Sequence, residues 1–153
     1  MVRKRLEQVR NLLIALLRQG TTARKLAATC ALGVVLGIFP VYGSTTLLCF
    51  AVAIPLRLNL LLIQAVNYLL TPLQLLLILP FLHTGNWLFG ISSLPFGLSE
   101  LVEMARVDFW IFMRLAGMSV LAGMVVWALL GVLLLPVLFW IFFRMFRALR
   151  IAP

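Results

Sequence analysis

The sequence predicts an all-α integral membrane protein: a short broken helical hairpin, read as re-entrant, plus about two spanning helices and amphipathic interfacial helices. Three observations predict it. Hydrophobic residues make up 64% of the 153 and charged residues only 11%, a balance outside that of soluble domains. The run 115–143 is apolar over a length that crosses a bilayer even when tilted or kinked at Pro136. Two shorter apolar stretches, 26–39 and 45–56, flank the hinge Pro40-Val41-Tyr42-Gly43-Ser44. At about 1.5 Å per residue the first of these reaches only about 21 Å, short of a hydrocarbon core of about 30 Å. A helix, a Pro-Gly break and a short returning helix make a hairpin that dips into the membrane and comes back. Backbone that is not helical at that depth is tolerated only where protein buries it or water reaches it.

Residues 1–21 read as a basic amphipathic helix. Leu6, Val9, Leu13, Leu16 and Leu17 share one stripe, and Arg3, Lys4, Arg10, Asn11 and Arg18 cover the rest. Such a helix lies in the headgroup plane, with each basic residue worth about 1 kcal/mol against anionic lipid. It lacks the apolar core and small-x-small cleavage site of a secretory signal. Gly20-Thr21-Thr22 ends it, and Thr22 can cap the helix that follows.

Residues 22–90 form the membrane domain, with the broken hairpin at 26–56 and a polar-striped helix at 60–82. Gly33-x-x-x-Gly37 lets another helix approach closely, within this chain or from a second copy. Pro40 removes a backbone donor, and Gly43 can take a positive φ. Ser44, Thr45 and Thr46 can cap the returning helix, whose amino end carries unsatisfied N–H groups and a positive dipole suited to an anion. Arg57 and Asn59 mark the next turn. In the helix after it, Gln64, Asn67, Thr71 and Gln74 recur at three- and four-residue spacing and share a face. Amides at membrane depth need partners, so this stripe faces the protein. It either bonds the carbonyls freed at the hinge or lines a polar path.

Residues 91–114 read as an interfacial loop and helix. After Pro80, residues His83, Gly85, Asn86 and Trp87 suggest a headgroup-level turn with an aromatic anchor. The helix 98–114 holds Glu100, Glu103, Arg106, Asp108 and Arg114, with Glu103 and Arg106 at pairing distance. Residues 115–153 form the second spanning helix with a basic tail, and Ser119-x-x-x-Gly123 offers a small-residue contact surface.

The net charge of +9 is a topology signal, not a nucleic-acid surface. Of thirteen basic residues, seven fall in 1–25, one is Arg57, two are Arg106 and Arg114, and three are Arg144, Arg147 and Arg150. With 60–82 crossing outward and 115–143 crossing back, eleven lie on one side, which the positive-inside rule makes cytoplasmic. Both termini are then cytoplasmic. Cys30 and Cys49 fall in apolar helices and read as packing residues, not as a disulfide or metal site. There is no nucleophile–base pair, phosphate loop, metal cluster or cofactor fingerprint, and nothing joins Glu100 and Glu103 in hydrolysis. The expectation is a protein that is not an enzyme and uses no cofactor, metal or nucleic acid.

Residues 22–90 also resemble a known family, the bacterial membrane proteins of domain of unknown function two-zero-six-two. The resemblance starts at Ala31-Leu32-Gly33-x-x-x-Gly37-Ile38-Phe39-Pro40-x-x-Gly43 and continues through Ser44-Thr45-Thr46 and Leu56-Arg57-Leu58-Asn59. It resumes at Asn67 and Thr71-Pro72-Leu73-Gln74, then at Gly85 and Gly90. Many relatives carry Asn-Pro where this chain has Thr71-Pro72. What the resemblance implies is a small inner-membrane protein of uncharacterised activity.

Two functions fit these features. The first is binding or translocation of an anionic lipid or small anion at the hairpin. Pro40, Tyr42, Gly43, Ser44 and Thr45 would lie on one side of that site and Gln64, Asn67, Thr71 and Gln74 on the other. One chain has few helices with which to enclose a conduit, so this reading calls for a homo-oligomer. The alternative is a non-catalytic scaffold or assembly factor for envelope-lipid or polysaccharide enzymes, using the amphipathic end and small-residue helices as contact surfaces.

Overall fold

The structure, a computed structural model, describes residues 22–91, 103 and 106–148. Among them the regular structure is helical: α1 (Ala23–Gly37), α2 (Thr45–Ala53), α3 (Leu60–Leu69), α4 (Thr71–Phe89) and α5 (Phe109–Ala148). The amphipathic helix expected over 1–21, the loop that follows Ile91, Glu100 and the tail beyond Ala148 lie outside the described residues.

Helix α1 starts where expected, with the Thr22 hydroxyl accepting from the Lys25 N–H at 3.4 Å. It runs beside the end of α5 in the opposite direction. Near its start Ala23, Leu26, Ala27 and Cys30 pack around Phe146, with Phe139, Phe142 and Phe143 alongside. Near its end Val35 meets Gly131. Helix α2 folds back, burying Cys49 and Ala53 against Leu36 and Ile63. Both cysteines are buried and unpaired, as their apolar setting implies. Helix α3 then runs parallel to α1. A Cβ at Gly33 would lie 3.0 Å from Val66 and one at Gly37 would lie 3.2 Å from Leu70. The Gly33–Gly37 pair therefore serves packing inside the chain.

The segment 60–82, which the sequence leaves free to cross straight or to break at Pro72, is not one straight crossing. It breaks between α3 and α4 with a bend of 63°. Pro72, in the first turn of α4, has no N–H for the carbonyl of Tyr68, and its ring crowds that carbonyl. Nor does the chain turn at His83–Trp87. Helix α4 continues through Pro80 to Phe89, because Gly85 and Asn86 are buried against α5 rather than sitting at a surface. Gly90, at φ +62, ends it, with Ile91 N–H reaching the Asn86 carbonyl at 2.9 Å.

The last helix is longer than 115–143 at both ends and passes through Pro136 without ending. Residues 109–114, expected in a separate interfacial helix, are its first turns, started by Asp108 accepting from the Ile111 N–H at 3.0 Å. Glu103 and Arg106 are both exposed. Helix α5 is long and apolar enough to cross a membrane, and α3 and α4 pass the same test only as a bent pair.

Helices α4 and α5 cross at their closest where Gly85 faces Ala122. A Cβ at Gly85 would lie 2.5 Å from the Ala122 carbonyl carbon. Beside this crossing, Asn86 Oδ1 and Ser119 Oγ are buried with no hydrogen-bond partner.

Candidate functional site

The hairpin tip follows from one missing proton. In a continuing helix the Leu36 carbonyl would accept from residue 40, but Pro40 has no N–H to give. The Phe39 N–H takes that carbonyl instead, at 3.1 Å. Val35, whose carbonyl would otherwise receive the Phe39 N–H, is left needing a donor. The indole N–H of Trp127 supplies it at 2.8 Å, and the Phe39 and Trp127 rings meet edge to face at 4.7 Å. The Phe39 carbonyl is in turn met by Gln74 Nε2 at 2.9 Å.

Pro40 is buried, whereas Tyr42 and Gly43 are exposed. Gly43 sits at φ +86, the left-handed region, with open space where a Cβ would be. Ser44 stands at the N-cap of α2 yet does not cap it. Its backbone is already helical, at φ −85 and ψ −17, and its hydroxyl donates backwards to the Val41 carbonyl at 2.8 Å. This corrects the expected capping role. Thr45 is buried as the first residue of α2. The amino end of α2 therefore has no side-chain cap, and it lies next to the exposed Tyr42-Gly43 turn.

The polar stripe is split by the bend at Leu70 but still converges on the hairpin. Gln64 Nε2 donates to the Thr46 carbonyl at 3.1 Å, and Asn67 Nδ2 donates to Gln64 Oε1 at 3.3 Å. A carbonyl has two lone pairs, so Thr46 can keep its helical bond while it accepts this one. Asn67 and Gln74 are each only 2% exposed. Thr71, the first residue of α4, is half-buried and joins none of these bonds. Of the two roles open to the amides, Gln64 and Gln74 take the bond to hairpin carbonyls.

Trp127 is the site residue that sequence reasoning passed over. A tryptophan in mid-run of an apolar helix still carries an N–H that must find an acceptor, and that was the available signal. It also marks level. Trp127 lies about 20 Å along α5 from Arg114 and about 26 Å from Arg144, at roughly 1.5 Å per residue. The tip is thus held near the middle of the apolar run of α5.

A family model described as an uncharacterized protein conserved in bacteria, DUF2062, matches residues 6–152. That is wider than the stretch 22–90 on which the resemblance rested. No curated protein and no solved structure gives a significant match.

Proposed function

This chain belongs to the DUF2062 family of uncharacterized proteins conserved in bacteria, and we propose that it holds an anionic lipid headgroup or a small anion at its hairpin tip. It does so as a non-enzymatic inner-membrane protein with both termini in the cytoplasm. The observation that carries the reading is the uncapped amino end of α2, held at the half-way level of α5. Free N–H groups and the positive end of a helix attract an anion wherever water can reach them.

In this reading the hairpin is re-entrant: α1 enters beside Phe146 and turns beside Trp127, without reaching the level of Arg114. Gly43 makes the turn, Tyr42 and Thr45 border the site, and Ser44 holds the turn through Val41. Gln64, Asn67 and Gln74 are positioning residues that brace the tip, and Thr71 borders it from α4. Exposed apolar faces on α3, α4 and α5 are lipid-facing or meet further copies, and a homo-oligomer would enclose the tip. One observation favours the scaffold alternative: Gln64 and Gln74 each commit one N–H to a hairpin carbonyl, which ties these side chains to bracing the tip.

Thiol accessibility separates the two. Cys30 and Cys49 are replaced, and single cysteines are introduced by Tyr42→Cys and Ser44→Cys. An impermeant reagent is then applied to each face. Labelling from the cytoplasmic face supports a re-entrant, water-reached site. Labelling only from outside makes the hairpin two spanning helices and ends the proposal. A tip that labels from neither side supports the scaffold.

A further inference from the structure

A basic groove lies at the other end of the hairpin, on the last turns of α5. There a groove of about 360 Å³ is bordered by Trp140, Phe143, Arg144, Arg147 and Ala148. The Arg144 guanidinium lies 5.0 Å over the Trp140 ring, a cation–π contact that fixes its position. Neither guanidinium has a hydrogen bond or ion pair among the described residues. Arg24 and Lys25 are exposed in the first turn of α1, which packs beside Phe146 at this same end. The described carboxylates, Glu103 and Asp108, precede the opposite end of α5. Among the described residues the groove is therefore positive, and no carboxylate lies at its end of α5.

Its surroundings select the ligand. Leu133, Val137, Trp140, Arg144 and Arg147 follow each other at four- and three-residue steps, so they form one stripe along α5. Leu133, Val137 and Trp140 are 69%, 53% and 59% exposed, and both arginines are exposed. Over about 21 Å, at roughly 1.5 Å per residue, the stripe passes from two cations to an aromatic ring to aliphatic side chains. A phospholipid has the same order: phosphate, glycerol region, acyl chain. Arginine suits phosphate because its planar fork can offer two parallel N–H donors. We propose that this stripe binds a phosphate-bearing anionic lipid, its phosphate in the Arg144–Arg147 groove and one acyl chain along Val137 and Leu133. The inference rests on α5 spanning the membrane and not on the hairpin site.

The test uses the full chain purified in neutral detergent, titrated with phosphatidylglycerol, phosphatidylcholine or inorganic phosphate. Thermal unfolding and lipid retained in native mass spectrometry are the readouts. Phosphatidylglycerol should be retained and should raise the unfolding temperature, while the other two at equal concentration should not. Arg144→Gln with Arg147→Gln should bind about thirty-fold more weakly, with the lipid-free unfolding temperature unchanged. The Arg144→Lys, Arg147→Lys pair, which keeps the charge, should bind better than the glutamine pair. Arg114→Gln, which removes an exposed arginine near the opposite end of α5, should bind with full affinity. Equal protection by phosphatidylcholine or by phosphate alone overturns the proposal. So does unaltered binding in the glutamine pair, or an equal loss in Arg114→Gln.

Discussion

Gln74 Nε2 donates to the carbonyl oxygen of Phe39 at 2.9 Å, joining the start of α4 to the residue that precedes Pro40. The bond closes an acceptor that the hinge leaves open, and Gln74 itself is buried. Leucine at this position keeps the bulk and removes the donor. Gln74→Leu should cost about 1–3 kcal/mol, the usual penalty for stranding a buried polar group. Unfolding in micelles measures it, and a variant as stable as the parent would mean that water or another group satisfies Phe39.

The crossing of α4 and α5 leaves no room at Gly85. A methyl group there would lie 2.5 Å from backbone of Ala122, which cannot swing aside as a side chain would. Gly85→Ala should therefore separate the helices and destabilise by about 2 kcal/mol or more. Gly117→Ala, on the same helix pair but facing open space, should be harmless. Equal behaviour of the two variants would show that the helices do not cross here.

Arg57 and Gly90 occupy equivalent positions. At Arg57, φ is +51 and Leu58 N–H bonds back to the Ala53 carbonyl at 2.9 Å, the same helix-ending arrangement that Gly90 makes after α4. Glycine adopts this conformation freely, whereas a side chain costs roughly 1–2 kcal/mol. Arg57→Gly should accordingly raise stability by about 1 kcal/mol. A measured loss would mean that the guanidinium has a stabilising contact of its own.

Ser119 Oγ is buried and unpartnered beside the Gly85 crossing. Removing it deletes a desolvated hydroxyl without breaking a bond, so Ser119→Ala should leave the unfolding temperature unchanged or raised. A clear drop would point to a bound water shared with Asn86.

Much of this fold was legible in local chemistry. Thr22 and Gly43 take the cap and the positive φ that their residue types offer, and Asn59, which marked only a turn, also caps α3 by accepting from Leu62 N–H at 3.0 Å. The amides of Gln64 and Gln74 had to find acceptors, and Gln74 takes the carbonyl beside Pro40 while Gln64 takes the Thr46 carbonyl in the returning helix. Less legible was anything set by packing between distant helices. Gly85 and Asn86 look like a turn in isolation, yet α5 covers them and keeps the helix going. Pro72 could start a helix or break one, and here it does both, standing in the first turn of α4 at a 63° bend from α3. Ser44 has the composition of a cap, but its helical backbone points the hydroxyl back at Val41. Trp127 looked like one more apolar residue because its acceptor lies 92 positions away.

That separation has a consequence for synthesis. The Val35 carbonyl meets its geometry at the hinge early in translation, while the indole that bonds it is still uncoded chain. The bonds from Gln64 and Gln74 become available first, and until Trp127 is made the hairpin stays at least one bond short. The fold is thus fastened by the last helix to emerge, and a chain stopped before Trp127 keeps an unfinished hairpin.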